Sequence, residues 1–439
     1  MAEADTDSKI IEIAMSEIRP TVTSNPSKSG EPLQLTKAQW MVLLAAFLGW
    51  MFDGFEIGLF PVVARPALQS MLGVGDGGVA RWMGNITACF LVGAAVGGLV
   101  FGWLGDRIGR IRAMSLSILV YSLFTAVGYF AQVPWHLAGT RFIAALGMGG
   151  EWALGVALVM ECWPERWRPL LAGLIGAAAN LGMLLVGWVA VLAPVTVDSW
   201  RWFFLMGAFP ALLVFFIRLG VPESEKWKRA VAIQPTNPLR EVFGAGMIRT
   251  TCLGIVFASI ALIGTWGSIQ WIPLWVDQMT GGKVPGAKAV VQMASSFGAV
   301  VGCLIGPLLG GRIGRRPTYF ILCFASLIVC AVLFRGLHEY NMLFICVTFL
   351  AGLCTASFYG WFPLYLPELF PTRIRATGQG VCYNFGRIFA AVGALAGGSL
   401  VQYFDGSYAR ACSVITLIYV AGLCVIWLAP ETKGRALPE

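Results

Sequence analysis

Five ionisable side chains, Asp53, Glu56, Arg141, Glu151 and Arg387, stand inside runs that are otherwise apolar for the length of a membrane crossing. A charge near a bilayer centre costs at least ~2.5–3.5 kcal/mol, so each needs a partner, a water-filled cavity or a proton. Asp53-Gly-Phe-Glu56 sets two carboxyls at i, i+3, on one face of a helix. Two neighbouring carboxylates in low dielectric disfavour double ionisation, which suits a pair that takes up and releases a proton. The competing role is structural, with one acid neutralising Arg141 or Arg387 and only holding helices together. Arg141 and Glu151 share one run ten residues apart, so on a helix their side chains diverge by roughly 80° and do not pair directly. Glu151 is a further candidate proton carrier, and Arg141 belongs to the same candidate proton-coupling set.

Arg387 closes the run Tyr383-Asn384-Phe-Gly-Arg387, about 16 Å along a helix from Ala376 and close to mid-depth. A guanidinium grips a carboxylate through two parallel N–H···O bonds. Asn384, one turn earlier, and Tyr383 offer an amide and a phenol for hydroxyl or keto groups. Trp266, Gln270 and Asn180 are weaker contact candidates, because buried Trp and Asn usually serve packing.

The rest of the chain must hold these groups at depth. Of its 439 residues 12% are charged and 57% hydrophobic, with a mean hydropathy of +0.74. Soluble domains carry roughly 25% charged residues, so a soluble enzyme is excluded, and 28 Phe with 17 Trp exclude disorder. Twelve runs are long enough to span a bilayer as helices: 40–62, 82–104, 113–131, 136–160, 170–193, 201–219, 251–275, 287–309, 317–335, 341–366, 377–402 and 410–429. They are numbered spans 1 to 12. The expected organisation is a tail over 1–37, a six-helix bundle over 38–220, a polar linker over 221–249, a second bundle over 250–430 and a tail over 431–439. Lys and Arg number fifteen in one set of loops and seven in the other, which places both termini in the cytoplasm. Arg218 lies near enough to a span end to snorkel. The +8 net charge follows from the same bias and implies no nucleic-acid partner. Eleven scattered Cys without a C-x-x-C pair, and two His, give no metal site or disulfide framework, and the Cys read as core residues. No cofactor is expected, and without a G-x-x-x-x-G-K-[ST] loop transport must run on a gradient. The sequon at Asn85 falls within span 2 and is spurious.

The two halves repeat each other. Gly-Asp106-Arg107-Ile-Gly109-Arg110 recurs as Gly-Gly311-Arg312-Ile-Gly314-Arg315. Glu161, Arg166 and Arg168 recur as Glu368, Arg373 and Arg375, and Pro222-Glu223 as Pro430-Glu431. Each match follows the equivalent span, so the repeat is parallel, with a pseudo-axis along the membrane normal.

These residues resemble the major facilitator superfamily over roughly 38–435. Gly102, Asp106, Arg107, Gly109 and Arg110 fit its signature loop, with departures at Ile111 and at Gly311 in the second copy. Phe52-Asp53-Gly-Phe-Glu56, Gly150-Glu151-Trp152 with Glu161-Cys-Trp-Pro164, and Tyr383-Asn384-x-Gly-Arg387 resemble the sialate:proton symporter family, with aromatic-acid:proton symporters close behind. The span 7 pattern of the yeast-type lactate permeases is missing. The resemblance implies an all-α fold of two pseudo-symmetric six-helix bundles in the inner membrane, acting as a monomer without enzyme activity. It implies proton:organic-anion symport by alternating access, with Arg387 on the substrate carboxylate. It also implies a cytoplasmic gate of Asp106, Arg107, Gly109, Arg110, Glu161, Arg168, Glu368 and Arg375. A sugar or polyol porter, suggested by Pro430-Glu-Thr-Lys-Gly434, is the alternative within transport; a non-transporting membrane sensor is the alternative outside it.

Overall fold

The computed structural model describes residues 35–438 apart from 73–75, 194, 211, 213–215, 218–219, 234–236, 282 and 285–286. Residues 1–34 of the N-terminal tail, and Arg218, lie outside the described residues. From Lys37 onward the chain forms one compact unit. Ten helices among the described residues are long and apolar enough to cross a membrane. Span 11 is the 29-residue helix Arg375–Tyr403, and span 6 opens with the helix Trp200–Met206. The crossings outrun the apolar runs: span 1 is Lys37–Leu72, span 2 Asp76–Ile108 and span 4 Pro134–Cys162. Span 7 is broken, with Ile248–Gly267 followed by a 3-10 turn at Ile269–Trp271 and the helix Ile272–Thr280. The polar linker contains the helices Glu225–Ile233 and Pro238–Val242.

Close helix approach comes from small residues, because lipid supplies no hydrophobic force between helices. Gly149 lies against the Ala94 carbonyl, Gly150 against Phe101 and Gly147 against Tyr121, so span 4 is wedged between spans 2 and 3. Of the ten candidate crossings among the described residues span 4 is the most enclosed, and Arg141 and Glu151 both sit on it, buried. Span 1 packs on span 5 through Gly54 and Gly182, and span 8 on span 10 through Gly298, Gly302 and Gly352. Outward faces are apolar, as on span 3 with Leu116, Leu119 and Leu123. The cysteines divide, contrary to a uniform core role. Cys303, Cys323, Cys330, Cys382 and Cys412 are buried, while Cys252, Cys346 and Cys424 are exposed on the apolar outer face, where a thiol is tolerated.

The repeated motifs meet in space. Span 3, Arg110–Val127, begins after Gly109 at φ 103°, and span 9, Arg315–Ala331, after Gly314 at φ 110°. A side chain is strained at these left-handed angles. The Glu223 carboxylate accepts from the N–H groups of Arg110 (3.0 Å) and Ile111 (3.1 Å). Glu431 does the same for Arg315 (2.9 Å) and Arg316 (3.1 Å). Each Pro-Glu pair is therefore the remote cap of a helix whose first N–H groups have no internal partner.

Burial pushes the Glu431 carboxyl up, but backbone N–H groups of Arg315, Arg316, Lys433 and Thr432 outweigh it and hold the pKa below the ordinary 4.5. A depressed carboxylate stabilises the fold fully above its unfolded pKa and loses that contribution as pH falls through the folded value. Glu431→Gln is therefore expected to lower thermal stability in detergent by roughly 1 kcal/mol at pH 7. The gap from the parent should narrow below pH 4.5; a gap independent of pH would refute the charged cap.

Candidate functional site

A central cavity, partly continuous with solvent, lies between the two halves. Spans 1 and 5 contribute Trp50, Asn180 and Met183, the break in span 7 contributes Trp266 and Gln270, and spans 8, 10 and 11 contribute Gln292, Tyr359, Tyr383 and Arg387. The break in span 7 is prepared locally, since Thr265 and Ser268 hydroxyls donate back to the carbonyls of Ala261 and Gly264. Such back-bonding bends helices. A second cavity shares Ile57, Met183, Trp266, Gln270 and Gln292 with the first and continues to Phe60, Phe90 and Arg141.

Arg387 is buried yet lines the cavity. Its Nη1 donates to Asn384 Oδ1 at 3.1 Å, and its guanidinium lies 4.9 Å from the centre of the Tyr383 ring. Tyr383 in turn stacks on Trp152 at 4.3 Å. Among the described residues no carboxylate comes within ion-pair distance of Arg387, although Asp53 lies inside its field. Asn384 does not reach the cavity wall as expected. Its amide donates to Gly380 O at 2.8 Å, packs against Gly98 of span 2 and positions Arg387.

Asp53 and Glu56 do not act as one pair, because antiparallel span 4 supplies each with a different partner. Glu56 forms a buried ion pair with Arg141, whose guanidinium also lies over the Phe60 and Phe90 rings. Asp53 lies within hydrogen-bonding reach of Glu151, whose carboxyl occupies the space left by Gly49, one turn from Asp53. Both oxygens of Asp53 and both of Glu151 are buried without a donor. None of these three acids lines either cavity.

One end of the molecule, carrying the Arg-rich loops, is closed by a buried network. Arg110 donates to Gly105 O (2.8 Å), Asp106 Oδ1 (2.5 Å), Glu161 Oε1 (3.1 Å) and, across the seam, Thr372 O (2.7 Å). Glu161 Oε1 also accepts from Arg375 at 3.1 Å, and Asp106 Oδ2 from the backbone N–H of Thr377 at 2.7 Å. Arg375 reaches on to Pro438 O at 2.8 Å, so the C-terminal segment is tied into the closure. The symmetry-related set is weaker across the seam. Arg315 holds Glu368 by two bonds of 2.9 and 2.6 Å within its own half. Arg168 bonds the exposed Glu165 at 3.0 Å rather than Glu368. Gly311, standing where Asp106 stands in the first copy, offers no acceptor and packs on Pro169. Arg107 takes no part: it is exposed, 5.0 Å from the Trp103 ring, and joins no ion pair among the described residues. Gly109 acts through its backbone angle rather than by contact with a substrate.

Trp50, Gln292 and Tyr359 on the cavity wall, and the buried hydroxyls of span 3, escape a reading by charge, because an apolar or uncharged residue in an apolar run carries no sign of the surface it lines.

A model of the Major Facilitator Superfamily matches residues 40–334 and 289–439. A probable 4-methylmuconolactone transporter of Cupriavidus pinatubonensis is 32% identical, covering 93% of this chain and 94% of that protein. The sialic acid transporter NanX of Escherichia coli is 24% identical over 92% and 96%. Among solved structures, the proton:xylose symporter XylE of E. coli superposes with a TM-score of 0.75 at 16% identity, covering 91% and 98%.

Removing one partner of a buried ion pair costs on the order of 3 kcal/mol or more. Arg375→Ala is thus expected to loosen the closed end. Cys303, buried on the seam 3.8 Å from Asn180, should then react with a maleimide at least tenfold faster, read by peptide mass spectrometry. An unchanged rate would show that the seam closes without this network.

Proposed function

This chain belongs to the Major Facilitator Superfamily, and we propose that it is a secondary transporter carrying a small organic anion together with protons by alternating access. The observation that carries the reading is Arg387, a cation at the cavity wall with no carboxylate in ion-pair contact among the described residues. A substrate carboxylate completes it through two parallel hydrogen bonds. Trp266, Gln270, Asn180 and Tyr383 line the same cavity and suit a flat or hydroxylated acid. The likeness to a methylmuconolactone transporter and a sialic acid transporter supports a carboxylate-sized organic substrate.

Charge balance supports the coupling. The central region holds three acids, Asp53, Glu56 and Glu151, against two guanidiniums, Arg141 and Arg387. It is neutral when Asp53 and Glu151 share one proton, which also satisfies their donor-free oxygens. Adding a monocarboxylate restores an excess negative charge, and a second proton on the same two acids removes it. One proton per monocarboxylate follows, because an uncompensated charge in a closed, low-dielectric site costs several kcal/mol.

The Arg-rich end faces the cytoplasm by the distribution of basic loops. The closed network of Asp106, Arg110, Glu161 and Arg375 then marks an outward-facing state in a bacterial inner membrane. Residues 38–220 rock against 250–430 to expose the same site inward, within a single monomer.

In proteoliposomes, Arg387→Gln should abolish uptake of the anion while the protein still inserts. Asp53→Asn and Glu151→Gln should each abolish uptake driven by a pH gradient yet retain substrate exchange at equal pH. Normal gradient-driven uptake by either acid variant would refute that pair as the proton site. Monocarboxylate uptake at fixed pH gradient should not respond to a valinomycin-imposed potential, and a clear response would refute the one-to-one stoichiometry.

A further inference from the structure

A long guanidinium that bonds across a seam must first be aimed, and at the closed end a segment outside the twelve spans does the aiming. Arg375 opens span 11 and is fully enclosed. Its Nε donates to Pro367 O at 3.1 Å and its Nη2 to Pro438 O at 2.8 Å, both within its own half. With those two nitrogens held, Nη1 is left to donate across the seam to Glu161 at 3.1 Å. The same Pro438 carbonyl accepts from the N–H of Thr372 at 3.1 Å and from its hydroxyl at 3.2 Å. Thr372 in turn offers its own carbonyl to Arg110 of the other half at 2.7 Å. One backbone oxygen therefore backs two residues that bond across the seam.

The segment that delivers this oxygen is fixed at its base and at its tip. At the base Thr432 is buried and donates to Glu368 Oε2 at 2.6 Å. Gly434 turns the chain at φ 75°, and the Arg435 N–H donates back to Thr432 O at 3.1 Å. Residues 433–436 are exposed, with the Lys433 ammonium on Arg312 O at 2.6 Å. The chain then folds back, burying Leu437 to 8% exposure and presenting the Pro438 carbonyl to its three donors. An anchor of one apolar side chain and one carbonyl, reached through four exposed residues, opens locally at far smaller cost than the spans. Its docking holds Arg375 in the pose that Glu161 uses, so the guanidinium is ordered before the halves meet.

We propose that Leu437-Pro438 is a detachable strap that positions Arg375 and Thr372 for their bonds across the seam, biasing the protein toward the state closed at this end. Docking of the strap and closure of the seam favour each other by the same factor. A released strap shifts the balance toward opening, and an open seam, which removes Glu161 from Arg375, loosens the strap. Neither strap residue lines either cavity, so the device sets the balance between states without touching the cargo. It rests on the rocking of the two halves read above, and on neither the anion site nor the proton site.

The test uses purified protein in detergent and requires no substrate. Leu437→Ser in the full chain, and separately deletion of 437–439, should raise the rate of maleimide labelling at Cys303 roughly fivefold, the effect of one lost hydrogen bond. Both variants should melt with the parent, and Leu437→Ile should label at the parent rate. Leu437→Ser added to Arg375→Ala should raise the rate by less than the product of the separate effects, because the strap acts through that arginine. A lower melting temperature with an unchanged labelling rate marks a merely structural tail and overturns the strap. Rates that multiply in the double variant overturn the positioning of Arg375. An unchanged rate in Arg375→Ala itself overturns the closure network and the strap with it, a result distinct from one in which only the Leu437 variants label normally.

Discussion

A charge taken out of water at membrane depth must be answered by the protein, and the interior of this chain is arranged around that cost. Two guanidiniums and three carboxyls are buried near its centre. Arg141 is answered by Glu56 and by two aromatic faces. Among the described residues Arg387 meets an amide oxygen, a phenol ring and the field of Asp53. In the proposed function, an anionic substrate relieves the cost left uncompensated at Arg387, and a proton relieves the donor-free Asp53–Glu151 pair. On that reading, one electrostatic balance links the binding of the two.

The closed end follows the same rule with a different outcome. Asp106, Arg110, Glu161 and Arg375 form a neutral set that crosses the seam, with few polar atoms left over. Their twins keep their charges within one half, because Gly311 offers no side-chain acceptor to the facing helix even though it packs there on Pro169. A duplicated sequence therefore closes through one copy of its motif more firmly than through the other. The Pro-Glu pairs remain symmetric because capping a helix N-terminus needs only a carboxylate in place, and both copies keep it.

Much of the site was legible in the chain as a list of charges, and little of it as contacts. Asp53, Glu56, Arg141, Glu151 and Arg387 stand out because charge is rare in apolar runs. The spacing of Asp53 and Glu56 suggested a mutual pair, yet helix periodicity describes only one helix. The register of span 4 against span 1 assigned Glu56 to Arg141 and Asp53 to Glu151. Asn384 likewise turned inward, since its neighbour across the seam is Gly98 and leaves room for an amide.

Hydropathy, loop charge and an internal repeat pointed by themselves to a twelve-span membrane protein of two related halves, because those properties are set by the solvent each residue must face, and the family resemblance of its motifs added the carrier. Tertiary structure alone decided which acid meets which arginine, which copy of the loop crosses the seam and which uncharged side chains line the cavity. Those outcomes depend on angles and registers between helices, which residue type and spacing within a single helix do not encode.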